Sequence, residues 1–222
     1  MLKSMFKSLF RSLGILSLLS VLTACGLGGA NVPETHFYRL PTITLPAQSQ
    51  QFSHLVIRPV QASGLYHERA MLYAEQSRPL QLQRYHYHLW AEKPAELTGR
   101  ALYQGLHSSG IAADVSRGLL QPEQAVYIDT RIEQFERLIP ADGMADGVRV
   151  LVALQLTVRG SDNGQVNGAY DLVKTYSADV SLPGLRMHDT AAAYGEALQQ
   201  IMQQLVADLL IKKQAVNTGQ VF

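Results

Sequence analysis

Cys25 is the only cysteine in the 222 residues, and its surroundings direct that thiol toward nucleophilic chemistry. Without a second thiol there is no intramolecular disulfide, and the cysteine-based zinc sites fall away. Leu22 and the smaller Thr23 and Ala24 precede it, and a lone thiol so flanked is left for use as a nucleophile. A second cluster is His86 and His88, which alternate with Tyr85 and Tyr87. That spacing places both imidazoles on one face of a strand, where a metal could bind. Two imidazoles without a third His or a carboxylate nearby make an incomplete site, and an exposed strand face accounts for them. Asp142-Gly143 and Asp146-Gly147 suggest a calcium loop, but their spacing departs from the EF-hand pattern and suits a plain turn. The chain has no phosphate-cradling glycine loop, no dinucleotide fingerprint, no nucleophile elbow and no His-Glu-x-x-His pair. No catalytic, cofactor-binding or metal residue is therefore assigned, no cofactor is expected, and an enzyme is disfavoured.

The residues before Cys25 explain how its thiol would come to lie at an N-terminus. Lys3, Lys7 and Arg11 are basic, no acid appears before Glu34, and Leu13 to Leu22 is almost wholly apolar. This is the layout of a secretory signal. A membrane span needs about twenty apolar residues, and this core has about half that, so residues 1–24 read as a cleavable signal peptide. Leu22-Thr23-Ala24-Cys25 resembles the lipobox of bacterial lipoproteins, which makes Cys25 the lipid-attachment residue. Each buried methylene contributes about 0.8 kcal/mol and two or more chains anchor firmly. Gly26 follows the cysteine where the inner-membrane retention signal of enteric bacteria has Asp, and by that resemblance the address is the outer membrane, with the domain facing the periplasm.

Removal of three basic residues and no acid takes the formal charge from +1 to −2, and a nearly neutral surface gives no electrostatic reason to expect nucleic acid. Residues 25–33 form an acylated, glycine-rich tether with a reach on the order of 15 Å. Residues 34–213 are long enough for one domain with a sizeable core, and 214–222 read as a loose tail.

The elements that would position any site follow from periodicity. Phe37 to Leu40 and Leu55 to Arg58 are strand-like and end at Pro41 and Pro59, and Ala70 to Tyr73 pairs with Leu80 to Leu89 around Ser77-Arg78-Pro79. Pro94 opens a helix running to about His107 with Gly110 to stop it, and Ala95, Leu102 and Leu106 lie on one side. Val148, Val150, Val152, Leu154, Leu156 and Val158 recur at every second position, the period of a strand with one face on a core. With Val126 to Glu133 before it and a strand from about Ala169 to Leu182 after it, across an Asn163-Gly164 turn, a meander is expected. A closing helix from about Thr190 to Lys212, capped by Asp189, carries Tyr194, Leu198, Ile201, Leu205 and Leu209 as one apolar stripe, with Lys212 and Lys213 at its negative end. The fold class is α+β, a single domain in which a mostly antiparallel sheet carries helices on one face. Trp90 and Tyr38 read as core residues at strand ends in preference to partner anchors.

The order of blocks is itself distinctive. A lipobox is followed by Phe37-Tyr38-Arg39-Leu40-Pro41, Val56-Ile57-Arg58-Pro59-Val60, Leu65-Tyr66 through Arg69-Ala70-Met71-Leu72, and His88-Leu89-Trp90-Ala91-Glu92-Lys93-Pro94. This resembles the ABC-type transport auxiliary lipoprotein family (PqiC-like). Members commonly have Pro before the Tyr-Leu of the third block and Arg before the Trp, where this chain has Gly64-Leu65-Tyr66 and Leu89-Trp90. The resemblance implies a non-catalytic lipoprotein serving lipid movement between the two membranes. Its implied partners are a periplasmic MCE-domain protein and, through it, an inner-membrane ABC permease and ATPase; a homo-oligomer is compatible with that role. The competing class is a lipoprotein regulator of an envelope enzyme such as a peptidoglycan synthase. The short tether argues against it, because such a regulator must reach across the envelope.

Overall fold

The computed structural model describes residues 33–119, 124–140, 147–160 and 170–218. The chain divides into residues 1–34 and 35–222, and every element below belongs to the second unit. Its strands are β1 (His36–Tyr38), β2 (Phe52–Ile57), β3 (Ala70–Glu75), β4 (Arg78–Trp90), β5 (Ala112–Arg117), β6 (Val126–Ile139), β7 (Arg149–Gly160) and β8 (Leu172–Ser181). Two helices, α1 (Pro94–Ser109) and α2 (Met187–Asn217), and a short 3-10 turn (Gly64–His67) complete it. This is an α+β fold built on one eight-stranded sheet.

The expected meander forms its longest ladders. β6 pairs antiparallel with β7 from Val126↔Gly160 to Leu138↔Arg149, and β7 with β8 from Val158↔Leu172 to Arg149↔Ser181. The alternating valines and leucines of β7 are all buried on the side that carries the helices. The expected Asn163-Gly164 turn lies outside the described residues.

The other edge of β6 is forked. β2 pairs parallel with its first residues, from Leu55↔Val126 to Ile57↔Ile128, and β3 pairs parallel with its last, from Tyr73↔Arg137 to Glu75↔Ile139. A single bridge, Gln61↔Arg131, holds the chain between them. β5 extends the first branch parallel to β2, while β4 and then β1 extend the second. The sheet is therefore mixed, with its antiparallel part in the meander and in the β3–β4 hairpin.

α1 lies over β5 and β2, and α2 over β7 and β8. Pro94 occupies the first turn of α1, and Gly110 ends it in the left-handed conformation at φ 67°, which costs glycine nothing. The buried stripe of α1 is Leu97, Ala101, Leu102 and Leu106, and Ala95 is only half-buried. The α2 stripe is as expected, with Tyr194, Leu198, Ile201, Leu205 and Leu209 all buried. Its ends differ from expectation. The helix begins at Met187, so Asp189 sits inside the first turn and accepts from Arg186 Nε at 2.9 Å, with no side-chain cap on the helix. It continues through Asn217 and buries Val216, so residues 214–217 are helical. Lys213, one turn before that end, is buried and its Nζ is 3.0 Å from the Tyr170 hydroxyl.

Candidate functional site

Cys25 lies outside the described residues, as do the Asp142-Gly143 pair and Asp146, so the site is built from where the chain after Cys25 first joins the fold. That element is β1, eleven residues on from Cys25. β1 lies parallel to the end of β4 in the register His36↔His88, Phe37↔Leu89 and Tyr38↔Trp90. It stops because Pro41 follows closely and lies against α2, where a Cβ on Gly195 would come within 2.2 Å of Pro41 Cγ. Only glycine at 195 lets the chain pass so near the helix.

A register jump shapes the β4 side. Between the pairs Ala70↔Leu89 and Leu72↔Arg84, β3 advances two residues while β4 covers five. This bulge breaks the strict alternation from which His86 and His88 were expected to share a face. His88 instead contacts Tyr85, edge-on at 5.6 Å, stacks on His36 at 5.5 Å, and its Nδ1 is 3.0 Å from the Tyr38 hydroxyl. His86 is exposed and its ring neighbour is Tyr87. Partial burial, with the nearby His36 and Arg137, holds the His88 imidazole below its ordinary value, because each disfavours the charged form.

Trp90 is in the core at 1 % exposure, edge-on to Phe135 at 5.6 Å and to Tyr194 at 5.0 Å. Tyr38 is half-buried over this cluster, and its hydroxyl is held by His88. Beyond Tyr85, Arg137 lies almost fully buried on the helix side of β6, a position alternation does not give it. A register shift between Ile132 and Gln134 turns the strand by one residue. Its guanidinium donates to the Tyr85 hydroxyl at 3.0 Å and to the Leu185 carbonyl at 2.8 Å, fixing the loop that leads into α2.

These contacts frame an open cleft of about 580 Å³ between β1 and the start of α2, lined by Phe37, Tyr38, Arg39, Leu40, Pro41, Ala91, His188, Ala191 and Ala192. The Arg69 guanidinium lies 5.2 Å over the Phe37 ring and its Nε donates to the Trp90 carbonyl at 3.0 Å. Among the described residues no three His, Cys, Asp or Glu side chains converge as a metal site would require. The cleft offers apolar and aromatic surface beside cations, which is the chemistry of contact.

A profile of the ABC-type transport auxiliary lipoprotein component matches residues 38–206. The chain belongs to that family. The auxiliary lipoprotein's matched range begins at Tyr38, the last residue of β1, and runs into α2, so it takes in β2 to β8 and all of the cleft lining but Phe37, while Cys25 lies before it. Among solved structures it is similar to protein XCC0632 from Xanthomonas campestris, described as a DUF330 protein. Identity is 18 %, the match covers 83 % of this chain and 99 % of that one, and the TM-score is 0.68. It is also similar to an uncharacterised protein at 12 % identity, with 80 % and 99 % covered and a TM-score of 0.56. Both show a shared fold. No curated protein matches. Members of such a family are membrane-anchored envelope proteins, and no helix among the described residues is long and apolar enough to cross a membrane. Sequence reasoning missed Arg69 and Arg137 as parts of this region. No local signal marks Arg69, and the shift that turns Arg137 inward has no signature in the alternation.

Proposed function

We propose that this auxiliary lipoprotein is the non-catalytic, outer-membrane-anchored component of an MCE-type ABC transport system that moves lipid between the inner and outer membranes. The observation that carries the reading is the family match over residues 38–206, preceded at short range by the lipobox-like Leu22-Thr23-Ala24-Cys25. Acylation of Cys25 fixes the domain at one membrane, with its body in the periplasm. Contact with a periplasmic MCE-domain protein then links it to the inner-membrane permease and ATPase. A stable protein partner is required by geometry, because a tether of this length spans far less than the envelope. The part contributes position and contact, and needs no cofactor for either.

Affinity purification of the native protein from detergent-solubilised envelope tests this. The expected co-purifying proteins are an MCE-domain protein, a permease and an ATPase. Recovery of a peptidoglycan synthase in their place would overturn the reading in favour of an envelope-enzyme regulator.

A further inference from the structure

We propose that the β1 face, with the first turn of α2, is a membrane-contact surface that lies on an anionic phospholipid headgroup layer, Phe37 entering the interface and Arg39 and Arg69 meeting the phosphates. The proposal rests on the reading of Cys25 as the acylated residue.

Phe37 is a large aromatic side chain left 58 % exposed. It does not stand alone, since Leu40, Pro41, Ala191 and Ala192 line the same cleft. Around this apolar surface the charges are of one sign. Arg69 lies over the Phe37 ring, and Arg39 is exposed at the cleft without an acidic partner among the described residues. No aspartate or glutamate is among the described residues that line the cleft. Of the acids next in sequence to cleft residues, Asp189 is bonded to Arg186 and Glu92 to Arg100. An aromatic ring flanked by arginines suits a bilayer interface, where the ring sits at headgroup depth and each cation near an anionic surface gains about 1 kcal/mol. On the outer face of the sheet, by contrast, Arg58 and Arg159 are both held by Asp129.

Position decides between a membrane and an acidic protein as the occupant. Phe37 is twelve residues after Cys25. A chain of that length reaches at most about 40 Å. Acylation would hold this face within that distance of the headgroups, where the effective concentration is in the millimolar range. Even a weak surface is then occupied, and the face that receives the tether is the one so presented.

The test uses full-length, natively processed protein carrying Phe37→Trp, reconstituted into vesicles of phosphatidylethanolamine and phosphatidylglycerol with brominated acyl chains. Trp90, 1 % exposed, supplies an unquenched internal baseline. The expected result is quenching of at least half the added emission. It should fall threefold or more in phosphatidylcholine vesicles, in 0.5 M salt, or with Arg39→Glu added. Protein that floats with the vesicles but shows no quenching of the new tryptophan overturns the surface while leaving the anchor standing. Quenching that charge reversal and salt leave unchanged overturns the phosphate contact. Mass analysis of the native N-terminus reads the anchor separately, so failure of acylation is not confused with failure of the surface. If Arg39→Glu weakens a purified protein partner's binding while the vesicle signal is absent, the face belongs to a protein.

Discussion

Substituting Leu154 and its neighbour Gln155, each by aspartate, tests which way the central strand faces. Leu154 is fully buried on β7, between Ile132 of β6 and Tyr176 of β8. Truncation to alanine there removes apolar contacts and leaves a cavity that rigid neighbours cannot close, at a cost of about 2–5 kcal/mol. For a domain of this size that lowers Tm by about 4–20 °C, at roughly 2–4 °C per kcal/mol. Aspartate adds the desolvation of a carboxylate with no partner, which raises the group's pKa and still costs several kcal/mol more. A domain stable by about 5–15 kcal/mol then loses most of its margin. Gln155 points to the uncovered side, opposite Arg131 and Thr175. Aspartate there meets a cation and changes stability by less than about 1 kcal/mol. Urea denaturation followed by the fluorescence of Trp90, the one tryptophan, measures both. Equal losses for Leu154→Asp and Gln155→Asp would refute the facing.

Gly160→Ala is expected to destabilise strongly, because Gly160 sits at φ 131° and a Cβ would come 2.1 Å from the Ala125 carbonyl oxygen; a melting temperature within 2 °C of the parent would contradict this. His88 titrates lower in the folded protein than an ordinary imidazole, whose pKa is about 6.5, so the unfolded chain binds more protons between the two values. That contribution to stability is present above about 6.5 and is lost as pH falls through the folded value; urea midpoints measured across pH 5 to 8 should show this component in the parent and not in His88→Gln. Cys25→Ser should remove the acyl mass from the mature N-terminus and abolish lipid-dependent membrane retention, and an unmodified Cys25 on native protein would exclude lipid attachment.

Features written in local periodicity were legible in the sequence. The β7 alternation, the α2 stripe, and the Pro94 start and Gly110 stop of α1 each depend on residues within a turn or two of one another. The parallel pairings were not. Nothing in Leu55 to Ile57 names Val126 to Ile128 as neighbours, because one strand's alternation says which face is buried and not which edge is joined. Bulges hide residues in the same way: the register jump in β4 sends His86 and His88 to different surroundings, and the shift in β6 carries Arg137 inward. The end of α2 was misplaced because Lys212, Lys213 and Gln214 look like a terminus, while burial of Lys213 beside Tyr170 is a tertiary fact.

The forked edge of β6 fixes the order in which this chain can fold as it emerges N-terminus first, from a ribosome or from an export channel. β2 waits for Val126, 71 residues after its partner Leu55, and β3 waits for Arg137, 64 residues after Tyr73. Until β6 appears, both branches are sheets without a centre, each with an open edge that invites pairing with another chain. β6, β7 and β8 follow one another directly and can zip together by short hairpin closures. The half that emerges first therefore keeps both open edges until β6 arrives, which is the interval in which it is most exposed to pairing with another chain.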